Sequence, residues 1–454
     1  MAKTFHVENL GCFRNQVDAE YIISSMQEAG YEHKEEAGEA ATIVVNTCGF
    51  IESAKKESID TFFALRQANP NAKIVLAGCL AERYGKELLE MMPEADAVFG
   101  NKAPEQLVQI MDKVEQGERV SFFPTELTSA PKRRQLLSHA RSAFLKVAEG
   151  CIHHCTFCAI PKIRGPLASR SADEVLAEFD ELLARGIFEI NLIAQDLASF
   201  GMDSGIRRSQ GAHGVEGSAL VALLRRMLER PGHFWIRPFY IHPDTFPEGM
   251  IELMQSDARL LPYFDLPYQH ADAKVLKMMA RYGSKEGYLA QIARIRTALP
   301  QAVIRSTFLV GFPGEDSAAF NELADFQEKA QLDWMGVFTY SREDQTAAYR
   351  LQSDDEFDKT MVAAKRRKAK LEKRQQEITE ARLDRWIGQT LEMIVEEAVQ
   401  GTNLHLARAF LQAPEVDGLV VLHAAGDAPL APGAVVKARV TGRNGVDLEA
   451  QQQS

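Results

Sequence analysis

The chain changes its hydrophobic rhythm from one third to the next. Short apolar runs at 3–8, 42–46, 73–77 and 97–99 alternate with stretches of helical period near 16–29, 52–68, 81–91 and 103–115. Strand alternating with helix is the pattern of a parallel sheet with helices on both faces. The alternation lapses over 116–136, where Pro124, Pro131, Lys132, Arg133 and Arg134 gather, and we read that stretch as a linker. It resumes from 137 to 380. Apolar runs at 143–147, 188–193, 235–240, 263–266, 304–310 and 335–338 are joined by stripes such as Val175, Leu176, Phe179, Leu182 and Leu183. About six strand–helix units predict a partial TIM-like (β/α)6 barrel, with its working face at the carboxyl ends of the strands. A long charged helix follows at 357–386, which Leu383 and Trp386 anchor as it enters the last domain. The texture then turns to short β-rich segments at 391–395, 407–410, 419–422, 435–440 and 446–448, and these predict a small antiparallel barrel. The chain is thus read as α/β, with units at 1–115, 137–380 and 387–454, and with a Gly- and Ser-rich surface loop at 203–218.

Composition adds limits. A chain of 454 residues exceeds one hydrophobic core. At 46% hydrophobic and 25% charged it has the balance of a soluble globular protein. The start, MAKTFHVENLGC, has no basic and apolar leader, and no run of about 18 apolar residues suggests a membrane span. A cytoplasmic protein without a membrane partner is expected, in which cysteines are more often ligands than disulfides. A net charge of −11 argues against a duplex-wrapping protein.

The cysteines change the picture most. Three of the six fall in Gly150-Cys151-Ile152-His153-His154-Cys155-Thr156-Phe157-Cys158, spaced CxxxCxxC. Thiolates so close can wrap one face of a four-iron, four-sulfur cube and leave one iron free. A zinc site would need a fourth ligand, and His153 and His154 sit too close to their flanking cysteines for easy geometry. Unligated thiols are the remaining alternative. Neither histidine is assigned a ligand role. Cys12, Cys48 and Cys79 each stand just beyond a predicted strand, at the sheet edge where open α/β sheets bind ligands. They are either buried structural cysteines or a second cluster site, with Gly11, Gly49 and Gly78 allowing close approach of a bulky ligand.

CxxxCxxC with Phe157 before its last cysteine resembles the signature of the radical S-adenosylmethionine (SAM) enzymes. LGCxxNxxDxE (Leu10 to Glu20) and VNTCGFI (Val45 to Ile51) resemble the N-terminal domain of the methylthiotransferases, a radical SAM family. The tail resembles the TRAM domain that ends them. NTCGFIESAKKES (Asn46 to Ser58), AEGCxHxCTFCxIPxxRG (Ala148 to Gly165) and APEVDG (Ala413 to Gly418) are similar to the RimO branch, which modifies an aspartate β-carbon in the twelfth small-subunit ribosomal protein. The sister branch acts on a tRNA adenosine. A non-catalytic iron–sulfur carrier is the reading from another class. Ile152, Leu197-Ala198 and Gln345 depart from the family pattern and leave both cysteine sets intact.

The resemblance implies two [4Fe–4S] clusters. Cys151, Cys155 and Cys158 would hold the catalytic one, and Cys12, Cys48 and Cys79 the auxiliary one. SAM would serve as radical source and methyl donor. A low-potential donor such as flavodoxin or ferredoxin would feed the clusters, and the sheet-edge rims of the two α/β units would face each other across the substrate. Strand-end residues Gln195, Gln269 and Gly311 are carried over as SAM contacts, although the GFPGE stretch after Val310 also reads as an ordinary turn. Arg170 could pair with the SAM carboxylate or stand in solvent. The basic run Lys365–Arg374 is a solvated helix face or an RNA contact. From Ile387 to Ser454 eight acids face four bases. Such a tail would steer in a basic ribosomal protein and disfavour tRNA, unless the acids serve only solubility.

Overall fold

In the computed structural model, residues 3–125, 132–203, 218–426 and 429–453 are described. The expected surface loop falls almost wholly outside them, as do Pro131 and Asp427.

The first unit is a six-stranded, all-parallel sheet. It comprises β1 (Thr4–Asn9), β2 (Glu32–His33), β3 (Thr42–Thr47), β4 (Lys73–Gly78), β5 (Ala97–Phe99) and β6 (Val120–Phe122), in the order β2-β1-β3-β4-β5-β6. Successive side chains of a strand point to opposite faces, and this splits the apolar residues cleanly. Val44, Val75 and Ala97 pack toward α1 (Phe13–Glu28) and α4 (Val108–Glu115). Ile43, Val45, Ile74, Leu76 and Val98 pack toward α2 (Glu52–Ala68) and α3 (Cys79–Met91). β6 corrects the linker reading, because residues 120–122 pair with β5 and extend the sheet.

The central unit has six parallel strands: β7 (Ser142–Lys146), β10 (Glu189–Ile193), β11 (Trp235–Pro238), β12 (Tyr263–Asp265), β13 (Val303–Val310) and β14 (Trp334–Thr339). They form two three-stranded sheets, joined by a parallel bridge between Ile236 and Leu260. A two-residue pair, β8 (Ala148–Glu149) with β9 (Ala168–Ser169), closes off the cysteine loop, and the short α5 (Ile160–Ile163) ends it. Helices α6 (Ala172–Ala184), α7 (Ala219–Leu228), α8 (Met250–Ser256), α9 (Ala273–Met278), α10 (Lys285–Ala298) and α11 (Ser317–Ala330) complete the partial barrel. Ala143, Leu145, Ile190, Leu192, Ile236 and Ile304 pack in the core they share with these helices. Their neighbours Phe144, Trp235, Tyr263 and Val303 join a separate cluster in the barrel interior.

Helix α12 (Asp354–Asp384) carries the expected charge run behind a Ser353–Glu356 capping box. The run is only partly solvated: Arg367 pairs with Glu315 at 3.2 Å and Arg374 with Glu328 at 3.5 Å. Leu383 and Trp386 are buried in the cluster shared with the tail. The tail strands β15 (Thr390–Ala398), β16 (Leu404–Ala409), β17 (Val420–His423), β18 (Val435–Asn444) and β19 (Asp447–Gln452) close in the order β15-β16-β17-β19-β18. The closure differs from the antiparallel expectation at one pair, β17 with β19, which is parallel. No helix among the described residues is long and apolar enough to cross a membrane.

Candidate active site

The turn after β7 carries Cys151, Cys155 and Cys158. Gly150 enters it at φ +66°, where an added Cβ would lie 1.9 Å from the Pro166 carbonyl oxygen, so no larger residue fits. Thr156 fastens the loop to the barrel. Its amide and hydroxyl donate to the Met279 and Met278 carbonyls at 3.2 and 2.8 Å. Phe157 packs edge-on against Phe312 at 6.4 Å, which locks the loop's far side. Burial raises the Cys151 thiol to about 11 and the Cys158 thiol to about 12. Arg281 opposes both shifts, and its Nε and Nη1 are buried without a hydrogen-bond partner.

His153 holds a second layer of the loop in place. Its Nε2 lies 2.7 Å from Asp196, and its ring stacks on His242 at 3.9 Å. Asp196 also accepts from the His242 and Ala198 amides at 3.0 Å each and from the Ser199 hydroxyl. Burial, with Arg281 and His153 nearby, pushes His242 down to about 2, so its ring stays neutral.

Among the SAM-contact candidates, Gln195 directly precedes Asp196 and keeps a buried Nε2 without a partner. Gln269 takes φ +70° where its backbone bridges to β13. Gly311 is engaged elsewhere: its amide donates to Glu315, and an added Cβ would sit 2.5 Å from the Ala364 side chain of α12. Its glycine is thus required by helix packing, whatever binds nearby. Arg170 is likewise engaged, donating to the Lys146 carbonyl at 2.7 Å and to Glu178 at 2.5 Å. The guanidinium that faces the cysteine loop with free N–H groups is that of Arg281, which the sequence reading passed over.

Cys12, Cys48 and Cys79 follow β1, β3 and β4 on one rim of the first sheet. The flanking glycines serve the chain's own close approach. A Cβ on Gly49 would meet the Leu80 backbone at 2.7 Å, and one on Gly78 would meet Asn46 at 2.5 Å. Burial would raise the Cys12 thiol, but Arg14 and Arg164 bring it below its ordinary value. Burial pushes Cys48 up to about 12 and raises Cys79, which Arg164 opposes.

The two rims meet along one seam. Phe13 of α1 stacks on Phe144 of β7 at 4.2 Å, and Arg14 donates to the Ala194 carbonyl at 2.8 Å. Asp18 receives Lys146 and Arg164, each at 2.7 Å. Glu20 receives Arg133 at 2.6 Å. On the opposite side, after β14, Glu343 receives Arg83 at 2.7 Å and Lys55 at 3.0 Å. Asp18 and Glu20 of the LGCxxNxxDxE stretch are therefore docking groups, as is Asn15, whose side-chain oxygen receives Arg164 at 2.8 Å.

All six cysteines are free thiols. Among the described residues, no three His, Cys, Asp or Glu side chains converge closely enough to hold a single metal ion. A cube makes a different demand, because each thiolate reaches its own iron. Two all-sulfur trios, with orphaned Arg281 and Gln195 groups beside the loop trio, fit clusters and a polar cofactor.

Three family models match the chain: the uncharacterized protein family UPF0004 over residues 4–100, the Radical SAM superfamily over 145–326 and the TRAM domain over 387–452. The chain is 42% identical to the ribosomal protein uS12 methylthiotransferase RimO of Treponema denticola, across 97% of this chain and 98% of that protein. It is 36% identical to the protein of the same name from Petrotoga mobilis, across 99% of each. Among solved structures, the radical S-adenosylmethionine methyltransferase TsrM of Kitasatospora setae superimposes with a TM-score of 0.55, at 13% identity over 77% of each chain, which is a likeness of fold.

Proposed function

The chain belongs to the ribosomal protein uS12 methylthiotransferase RimO family, and from that premise we propose its reaction: it transfers a methylthio group to the β-carbon of an aspartate in ribosomal protein uS12. It is an enzyme of radical SAM type, using SAM and a [4Fe–4S] cluster. The near-full-length identity to RimO proteins of two organisms carries this reading. When bound, the clusters and SAM supply the one-electron chemistry that an unactivated C–H bond requires.

The protein's own residues divide the work. Cys151, Cys155 and Cys158 hold one cluster on a loop that Thr156, Phe157 and His153 immobilise. Gln195 and Arg281 offer buried donors to the amino-acid end of SAM. Cys12, Cys48 and Cys79 hold a second cluster across the seam, a role favoured by Arg14 and Arg164 beside Cys12. The aspartate-bearing loop of uS12 enters between the rims, and a low-potential protein such as flavodoxin or ferredoxin delivers electrons from outside.

tRNA is not the favoured partner, but the tail supports this less strongly than its composition suggests. Asp417 is buried against Tyr263 and Arg305, and Glu396 is occupied by Arg408. The correction is physical, since a buried or paired acid contributes little field at the surface. Anaerobic reconstitution with SAM and a reductant, offering uS12 and tRNA in competition, tests the proposal. A mass gain of one methylthio group on an aspartate peptide of uS12 is expected, and methylthiolated tRNA with unmodified uS12 would overturn it.

A further inference from the structure

Arg164 follows α5 on the loop of the SAM-side cysteines, yet its guanidinium lies among the neighbours of the other trio. Nη1 donates to Asp18 at 2.7 Å, and Nη2 donates to the Asn15 side-chain oxygen at 2.8 Å and to the Cys79 sulfur at 3.2 Å. Its side chain is 2% exposed. Asn101 approaches the same sulfur at 3.5 Å as a neutral donor. Among the described residues, Arg164 is the charged side chain whose hydrogen bond reaches a cysteine sulfur. Burying a guanidinium is costly unless every face finds a partner, and here one of the partners is the Cys79 sulfur. Asp18 and Glu149 balance Arg164 and Lys146, while Arg14 beside Cys12 adds a cation with no ion-paired carboxylate among the described residues. The pocket therefore brings two guanidinium groups, those of Arg14 and Arg164, to the sulfurs of this trio.

We propose that Arg164 is a positioning residue that couples the two cysteine sets, capping the Cys79 sulfur from the SAM-side loop and raising the reduction potential of the cluster held at Cys12, Cys48 and Cys79. Hydrogen bonds to sulfur and local net charge set such potentials. The inference rests on the second-cluster reading above. It also gives the IPxxRG stretch a task, since its arginine is the partner that Asn15 and Asp18 of the first motif receive.

The test uses the full chain with Cys151, Cys155 and Cys158 changed to Ala, so that only the second cluster can form. Arg164→Gln and Arg164→Lys are reconstituted anaerobically beside that parent. Iron is counted, the midpoint potential is read by electron paramagnetic resonance, and the rate of iron loss to a chelator is followed. Arg164→Gln is expected to shift the potential negative and to lose iron faster. Arg164→Lys keeps the charge toward Asp18 but cannot span three acceptors as a planar fork does, so it should fold and shift the potential by a smaller amount. Unchanged potentials and iron-loss rates in both variants would overturn the role of Arg164. A parent that binds no iron would instead overturn the second-cluster reading.

Discussion

The central barrel is sealed at both ends by ion pairs, and the two seals differ in kind. At the carboxyl ends of its strands it meets the first sheet, through Asp18, Glu20, Arg133, Lys146 and Arg164. At the amino ends it meets the tail. There Glu189 receives Arg237 at 2.8 Å and Arg408 at 2.6 Å, and Asp417 receives the Tyr263 hydroxyl at 2.6 Å. At the lower seal the Glu189 carboxylate is bonded on both oxygens and the Trp334 indole donates to the Leu411 carbonyl at 2.8 Å, while Asp417 Oδ1, Arg305 Nε and Gln412 Nε2 are buried without hydrogen-bond partners. The upper seal turns polar groups toward sulfur and leaves Arg281 and Gln195 with unfilled donors. Similar residue types thus serve two ends, and what distinguishes the upper one is that its polar groups surround cysteine sulfurs. This agrees with the rule that barrel chemistry sits at the carboxyl face and stability at the other.

The largest effects should come from emptying one trio at a time in the upper seal. Changing Cys151, Cys155 and Cys158 to Ala is expected to remove about half of the iron and to abolish reductive SAM cleavage. Changing Cys12, Cys48 and Cys79 is expected to remove the other half and to spare cleavage. Loss of cleavage in a folded form of the second variant would show that the upper seal is one indivisible site. The next effect belongs to the lower seal. Glu189→Gln leaves Arg237 and Arg408 buried around a neutral group and should cost roughly 3–5 kcal/mol in denaturant unfolding. It should leave the iron count unchanged.

Acid should act on the same pair. Burial opposes the ionised Glu189, but its two arginines win and lower it to about 2. A carboxylate lowered on folding stabilises fully above its unfolded value and less as pH falls toward the folded one. A contribution of about 3 kcal/mol should therefore fade between about pH 5 and pH 2 in the parent chain, and Glu189→Gln should lack that part of the acid transition. A smaller effect is expected at Arg281. Arg281→Gln should weaken SAM binding roughly ten- to a hundredfold without lowering the melting temperature, because its Nε and Nη1 are buried with no hydrogen-bond partner in the protein to lose. A last pair of variants separates surface from seal in the tail. Glu415, 49% exposed, should tolerate charge reversal with no loss of stability. Asp417, 1% exposed, should unfold the tail when reversed, so only Glu415 can report on steering of a basic partner.

Legibility followed distance along the chain. The loop trio could be picked out directly because its three cysteines share one turn. The sheet-edge trio could be read one step removed, since each cysteine ends an apolar run and the topology brings the runs together. Asn15, Asp18 and Arg164 stood inside quoted motifs, yet nothing local says that the two motifs touch. Arg281 and His242 sit in no motif, and only the fold brings them to the loop. Asp417 was misread because charge counting assumes exposure. β6 was missed because Val120–Phe122 is three residues long and abuts a polar run. The parallel β17–β19 pair depends on closure of the barrel, which no single strand encodes.

Chain order gives the Arg164 contact a temporal side. Synthesis runs from the N-terminus, and domains tend to fold as units while it proceeds. The first sheet is complete once Val120–Phe122 has emerged, so Cys12, Cys48 and Cys79 are gathered before the loop bearing Arg164 exists. For that interval the trio lacks the contact that Arg164 makes with the Cys79 sulfur. Arrival of Arg164 then covers Cys79, so the order of translation is also the order in which the two cysteine sets are brought together.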